Sequence, residues 1–339
     1  MTKRSSSGDR AITISDVARE AGVSTQTVSR VLNNKGEITP ATRQLVEDVI
    51  RRLGYRPSAI ARSLVTRRTL SLGLVVPDIT NPVFPEIARG AEEIALASGY
   101  NVFLCNTIEQ PEREASVLRS LEEKRVDGVV VCSSRLPDEQ LFPALRRQQA
   151  AVLVNRPAPL DVAGTVRIGD ASGSAQAVRY LCGRGRRRLG MLSGPATSFS
   201  GKERTRGFME AARTAGAAVD PSWLRPCPPT LDGGNQAARA LLSSSREVQG
   251  LLCYNDLVAV GALQACRDLG IRVPDDLAVV GCDDILLAGL VTPPLTTLRC
   301  SKFEVGAAAV RMLLNRIDGV TDRAEIVMEP ELIVRASAT

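Results

Sequence analysis

The sequence has no histidine in 339 residues. That excludes the Ser-His-Asp triad, the Cys-His pair and any zinc site with an imidazole ligand. Aromatic residues make up only 3% of the chain, too few for an extended base-stacking surface. No apolar run reaches the roughly 18–20 residues that a spanning helix needs, and Met1 to Arg10 is polar rather than a leader. The eight cysteines, at 105, 132, 182, 227, 253, 266, 282 and 300, form no CxxC pair. They read as small core residues in a reducing, cytoplasmic compartment. There is no Walker A loop, and no GxGxxG follows a strand. The expectation is a protein with no cofactor, no metal and no membrane contact, and not an enzyme.

What is present is ordinary globular material, 44% hydrophobic and 24% charged, long enough for two or three domains. Its charge is unevenly placed. Residues 1–70 hold 13 Lys/Arg against 6 Asp/Glu, a surplus of seven, while the remainder holds 30 against 31. One basic end on a near-neutral body is the footprint of a polyanion binder, nucleic acid or an anionic membrane surface.

The basic end contains two short helices joined by a tight turn. Thr13 caps the first with Asp16 three positions on, and Ile14, Val17, Ala18 and Ala21 form one apolar face. Gly22 ends it, Val23 plugs the turn and Ser24 caps the second helix, whose inner face is Val28, Val31 and Leu32. Thr25, Gln26, Ser29 and Arg30 then face outward. From a helix in a major groove, Gln can pair with adenine, Arg with guanine and the Thr methyl with the thymine methyl. Thr27, Ser29 and Asn33 suit phosphates. A third helix opens at Thr39-Pro40 and closes at Gly54, with Leu45, Val46, Val49, Ile50 and Leu53 as its core face. The competing reading is a small helical domain with solvated charges.

The stretch TISDVAREAGVSTQTVSRVLN, followed by ITPATRQLVEDVIRRLGYRPSAIARSL, closely resembles the headpiece of the LacI family of bacterial transcription regulators. The resemblance implies that Arg56 to Val65 is a hinge helix, disordered in the free protein and folding in pairs in the minor groove, with Leu64 as the wedge at a central base step and Ala61 beside it. Such a wedge kinks a flexible step. Spacing alone is equally satisfied by Ile60 and Leu64 packing on a core.

From Leu70 onward, short β-branched runs alternate with amphipathic helical stretches. Strands are expected at 72–76, 101–105, 128–132, 151–154, 189–192, 250–253 and 277–281. Helices are expected at 82–98, 112–124, 137–148, 170–182, 202–215, 233–243, 256–269 and 302–317. This predicts an α/β body of two parallel-sheet subdomains with a cleft between them. The body also resembles the LacI family, and through it the periplasmic sugar-binding proteins, in segments such as SLGLVVPDITNPVFPEIARG, GKERTRGFMEAARTAG and LLCYNDLVAVGALQACRDLG. The resemblance implies a tail over 1–12, a headpiece over 13–55, a hinge and linker over 56–69, and an effector-binding and dimerisation body over 70–339. Its subdomains would be 70–167 with 299–326, and 168–298 with 327–339.

The implied cleft residues are Phe84, Asn155, Arg204, Asn255 and Asp283. Phe84 alone would read as core, Arg204 as a solvated cation, and Asn255 with Asp256 as helix caps. Asx residues after strands also line clefts in open α/β sheets. Acceptors and donors of this kind suit vicinal hydroxyls, hence a sugar or sugar derivative. The sequence departs from the family at Val83, Gly169, Asp170, Arg186, Cys282 and Cys300, so no one sugar carries over. The expected function is a DNA-binding transcriptional regulator, a repressor acting as a homodimer on near-palindromic operator DNA under control of a small effector. No heptad tail suggests a tetramer. The alternatives are a sugar-binding protein without DNA regulation and a sugar-acting enzyme built on paired carboxylates such as Asp283 and Asp284.

Overall fold

The computed structural model describes residues 12–33, 36–55, 68–320 and 325–339; Ala61 and Leu64 lie outside the described residues. The chain divides into two compact units at Thr69/Leu70.

In the first unit, α1 (Ile14–Ala21), α2 (Thr25–Leu32) and α3 (Pro40–Leu53) enclose a small core. The Thr13 amide donates to the Asp16 carboxylate at 3.0 Å, and the Thr13 hydroxyl donates to the same oxygen at 2.6 Å. Gly22 closes α1 at φ 64°, a left-handed value that costs glycine nothing. The turn then swings α2 across α1 and buries Val17, Val28 and Val46 completely. Leu45, expected in the core face of α3, is instead 48% exposed. It lies about 100° round the helix from Val46, and Val46 and Val49 define the buried stripe.

The second unit holds two six-stranded sheets. The first contains β1 (Ser71–Val76), β2 (Asn101–Asn106), β3 (Gly128–Cys132), β4 (Ala151–Val154) and β5 (Gly164–Ile168), with β11 (Glu325–Met328), in the order β11-β5-β4-β3-β1-β2. All its pairings are parallel. The second contains β6 (Leu189–Leu192), β7 (Leu224–Arg225), β8 (Gly250–Cys253), β9 (Ala278–Cys282), β10 (Thr296–Arg299) and β12 (Glu331–Ile333), in the order β12-β10-β9-β8-β6-β7. Only β12 runs antiparallel, against β10. Helices cover both faces of each sheet, as parallel sheets require: α4 (Val83–Ala97), α5 (Pro111–Glu123), α6 (Asp138–Arg146) and α12 (Lys302–Ile317) on the first, α7 (Asp170–Gly183), α8 (Phe199–Thr214), α9 (Leu231–Ser244) and α10 (Asp256–Asp268) on the second. A short α11 (Leu286–Leu290) follows β9.

The chain passes between the sheets three times, after Ile168, after Arg299 and after Met328. The strand Glu325–Met328 therefore runs past the boundary expected at 326 and pairs with β5 along its whole length. Helices α4 and α12 cross at their backbones: a Cβ on Gly90 would lie 1.9 Å from the Phe303 carbonyl, and one on Gly306 2.0 Å from that of Ile87. The core beside them also takes in Ile285, Cys300 and Leu257, so the two subdomains share apolar packing at their junction.

Candidate nucleic-acid interface and ligand cleft

In the first unit, the Ser24 hydroxyl accepts the Thr27 amide at 3.0 Å and caps α2. Burial of Val28 and Val31 fixes which side of the helix faces out. Thr25, Gln26 and Arg30 are exposed, and Ser29 is half-buried. Gln26 and Arg30 hydrogen-bond to no described residue, leaving both amide and guanidinium free to read base edges. Thr27 and Asn33 are more committed. The Thr27 hydroxyl meets that of Ser24 at 2.9 Å, and the Asn33 amide donates to the Ser29 carbonyl at 2.8 Å.

In the second unit, the C-terminal ends of parallel strands from both sheets converge, the usual place for a ligand in open α/β sheets. Arg204 lies one turn into α8 and is buried. Its Nε donates to Asp170 at 2.7 Å, its Nη1 donates to the Tyr254 carbonyl, and its Cζ sits 5.0 Å from the Tyr254 ring centre. Burial works against the guanidinium charge, but Asp170 and the neighbouring Asp283 outweigh it and hold Arg204 charged. Ser200, four residues earlier and so on the same helical face, is 4% exposed, and its hydroxyl has no partner among the described residues.

Asp283 follows β9 at φ 122°, where a side chain is strained. Lys302 holds it there: Nζ donates to the carbonyls of Asp283 and Cys300, both at 3.1 Å, and lies 3.5 Å from the Asp283 carboxylate. Asp284 turns away and pairs with Arg335 at 2.7 Å, so the two consecutive carboxylates do not form a catalytic couple. Asn255 caps α10, accepting the Val258 amide at 2.8 Å and donating to the Pro229 carbonyl at 3.2 Å. From the first sheet, Asn155 follows β4 in the left-handed region and accepts the Ile168 amide at 3.2 Å. Phe84 is 7% exposed within the shared core.

The structure thus brings Arg204 and Asp283 into electrostatic reach of one another, places Asn255 next to Tyr254, and puts Phe84 and Asn155 on the first-sheet side. None of these five residues lines the open cavity of about 660 Å³ at the cleft mouth, which lies between Arg135, Asp138 and Arg156 of one subdomain and Thr197, Phe199 and Lys202 of the other. Residues that sequence reasoning did not assign to the site are Asp170, Ser198, Ser200, Tyr254, Arg135 and Lys302. The i, i+4 spacing of Ser200 and Arg204 and the tyrosine at a strand end were the available signals.

Asp256 is fully buried beneath this cluster. It accepts from the Thr297 hydroxyl at 2.5 Å and the Ile285 amide at 2.9 Å. Burial, reinforced by the charge of Asp283 and opposed by Thr297, Ile285 and Lys302, raises its pKa from 3.8 to about 7. The folded state therefore binds this proton more tightly than the unfolded chain does. The contribution is full below about pH 4, is lost as pH rises to about 7, and is flat above that. Unfolding free energies from urea titrations between pH 5 and 8 are expected to fall with pH more steeply in the native protein than in Asp256→Asn, by at most about 1.4 kcal/mol per pH unit. Parallel curves would refute this assignment.

Among the described residues no group of His, Cys, Asp or Glu is arranged to hold a metal ion, and no helix is long and apolar enough to cross a membrane. Family models match two parts of the chain: bacterial regulatory proteins of the lacI family over residues 13–58, and a periplasmic binding protein-like domain over residues 178–338. The HTH-type transcriptional repressor PurR of Pasteurella multocida is 36% identical over 328 residues, 96% of this chain and 98% of that protein. A solved complex of the transcriptional regulator CelR with cellobiose is 32% identical, with a TM-score of 0.73 over 96% of this chain and 99% of that one. The Lac repressor dimer bound to operator and the anti-inducer ONPF shares the fold at a TM-score of 0.87 and 24% identity, covering 97% of this chain and 99% of that one. With the helix-turn-helix unit and the two-sheet body in place, the chain belongs to the lacI family of bacterial regulatory proteins and is a transcriptional regulator.

Proposed function

We propose that this regulator is a cytoplasmic repressor that binds near-palindromic operator DNA as a homodimer and responds to a carbohydrate or similar polyhydroxylated effector in its cleft. The observation that carries the DNA reading is the outward face of α2, where Thr25, Gln26 and Arg30 stand exposed on a capped helix with its other side packed in a core. Residues 13–55 read the half-sites, with Ser29 and, to a lesser degree, Thr27 and Asn33 toward phosphates. Residues 56–69 link headpiece to body, and Ala61 and Leu64 enter the minor groove at the dyad. PurR is named a repressor, and the Lac repressor structure is an operator-bound dimer.

Homodimerisation is supported by apolar side chains left in solvent on the body. The edge strand β2 exposes Phe103 at 53% and Leu104 at 41%, and α11 exposes Leu286 at 81% and Leu290 at 69%. Patches of this kind on a folded chain mark protein contacts.

For the effector, the support is the unpartnered Ser200 hydroxyl beside Arg204, with Asp283 in electrostatic reach and Asn155, Asn255 and Phe84 around the same convergence of strands. Hydroxyl, guanidinium and carboxylate together match the alternating donors and acceptors of a sugar. The solved relative CelR holds cellobiose. Effector binding shifts the equilibrium between cleft states and, by linkage, operator affinity by the same factor.

Selection from a random duplex library at about 0.15 M salt, where nonspecific phosphate binding is weak, tests the reading. The expected product is an inverted repeat with a flexible central step, lost on Leu64→Ala. No enrichment, with or without a panel of mono- and disaccharides, would leave a sugar-binding protein without DNA regulation.

A further inference from the structure

The loops that lead into β6, β8 and β9 lie at the ends of these parallel strands away from the cleft, and backbone bonds lace them into one row. The Gln249 amide donates to the Arg188 carbonyl at 2.8 Å, the Ala218 amide to the Arg187 carbonyl at 2.7 Å, and the Ala278 amide to the Gln249 carbonyl at 2.9 Å. The row carries Arg184, Arg187 and Arg188 from one loop, Arg213 from the last turn of α8 and Arg246 from the loop after α9, all of them exposed. None of the five has a carboxylate partner. Arg184 lies over the Tyr180 ring at 5.6 Å, and Arg187 donates to the Ala215 carbonyl at 2.9 Å, which sets the end of α8 beside it. Arg188, Arg213 and Arg246 make no side-chain hydrogen bond or ion pair to a described residue. Elsewhere on the body, Arg89 sits against Glu86, Arg146 against Asp161, and Arg206 against Glu203 and Glu210.

Helix ends account for part of this charge. The helices α7, α8 and α9 close beside Arg184, Arg213 and Arg246, and each C-terminus carries about half a negative charge. Three such ends offset less than two of the five positive charges, and Arg187 and Arg188 cap no helix. Glu247 stands next to Arg246, while Asp275 and Asp276 are taken by Arg272 at 3.7 and 2.7 Å. A positive surplus therefore remains on a body whose charges otherwise cancel.

Two features choose the partner. The cations are all arginine, whose planar fork meets a phosphate in two parallel bonds; Lys202, the one lysine between residues 168 and 298, is at the mouth cavity instead. They are also spread along a line rather than gathered round a point. Neighbouring strands lie about 4.8 Å apart, so the row from Gln249 through Arg188 to Ala218 spans about 10 Å, along which one DNA strand sets about three phosphates. We propose that this row is a second nucleic-acid surface, which holds the phosphate backbone of a duplex by charge, without base readout and apart from residues 13–55. A protomer then engages a further stretch of duplex while its helix-turn-helix unit is occupied.

The test mixes limiting full-length protein with donor- and acceptor-labelled copies of a duplex of random sequence, at about 0.05–0.2 M salt. Native protein is expected to bring two duplexes together and give energy transfer. Combining Arg184→Gln, Arg187→Gln, Arg188→Gln and Arg246→Gln should abolish the transfer, whereas Lys at the same four positions keeps the charge and should retain it. Each phosphate contact contributes about 0.9 to the slope of log affinity on log salt, so Arg188→Gln or Arg246→Gln alone should flatten the salt dependence of the transfer by about one. The replaced side chains are exposed and carry no ion pair, and the native urea midpoint should be kept. Transfer and salt slope unchanged in the Gln variant would overturn the proposal. So would polyglutamate binding that the Gln variant loses while its duplex capture stays native, which would make the row a surface for an acidic protein. Because the duplex is of random sequence, failure of the operator selection leaves this test intact, and failure here leaves the operator reading intact.

Discussion

Replacing Asp170 with alanine is expected to destabilise the body by about 3–5 kcal/mol, because it strands a buried guanidinium without its carboxylate. Arg204 and Asp170 have side-chain exposures of 7% and 5%, so water cannot take over the lost interaction. What remains for Arg204 is the Tyr254 carbonyl and ring and the charge of Asp283, which makes no hydrogen bond to it and does not replace a bonded carboxylate. Removing both charges is a different experiment. In Asp170→Leu with Arg204→Met no charge is left unpaired, and the cost should fall to about 1 kcal/mol or turn into a gain. Urea unfolding at pH 7 measures both. A loss under about 1 kcal/mol for Asp170→Ala would contradict the burial of the pair. The double variant should stay folded and yet lose its response to effector, which separates the ligand role of Arg204 from its place in the fold.

Gln26→Ala and Arg30→Ala are each expected to weaken operator binding by about 1–3 kcal/mol and to relax base preference at one position of each half-site. Both side chains are exposed and neither is bonded to a described residue, so truncation removes a contact to DNA without loosening the core of Val17, Val28 and Val46. The signature is positional. A residue that only meets phosphate changes affinity for all sequences alike and flattens the salt dependence, whereas these two should change which base is preferred and leave the salt slope intact. In a homodimer each substitution acts twice per operator. Binding titrations of single-base operator variants at two salt concentrations decide the matter, and a uniform loss across all variants would reassign these residues to the backbone.

Much of the fold is local and therefore legible. The capping pair Thr13 and Asp16, the left-handed Gly22 and the Ser24 cap each act within four residues, so their hydrogen bonds follow from spacing alone. The buried runs at β3 and β4 are apolar throughout because both faces of their sheet are covered. The short edge strands Leu224–Arg225 and Glu331–Ile333 went unread, as did Gly164–Ile168, Thr296–Arg299, Glu325–Met328 and the five-residue α11. These strands mix Thr, Arg or Glu with their apolar residues, so they lack the continuous apolar run that marks strands of equal length at 151–154 and 250–253, and they exist because a neighbour presents free backbone groups.

The cleft divides the same way. Residue types at strand ends point to Asn255 and Asp283, and the resemblance to a regulator family adds Arg204. By itself the sequence determined the basic helix-turn-helix end, the alternation of strands and helices and the absence of histidine chemistry, because caps, periodicity and composition are properties of neighbouring residues. Only the tertiary structure decided that Arg204 finds Asp170 thirty-four positions away, that Lys302 secures Asp283, that burial raises the pKa of Asp256 and that the Tyr254 ring lies over Arg204. Those relations join residues far apart in the chain, and their strength comes from exclusion of water, which exists only once the two sheets have packed together.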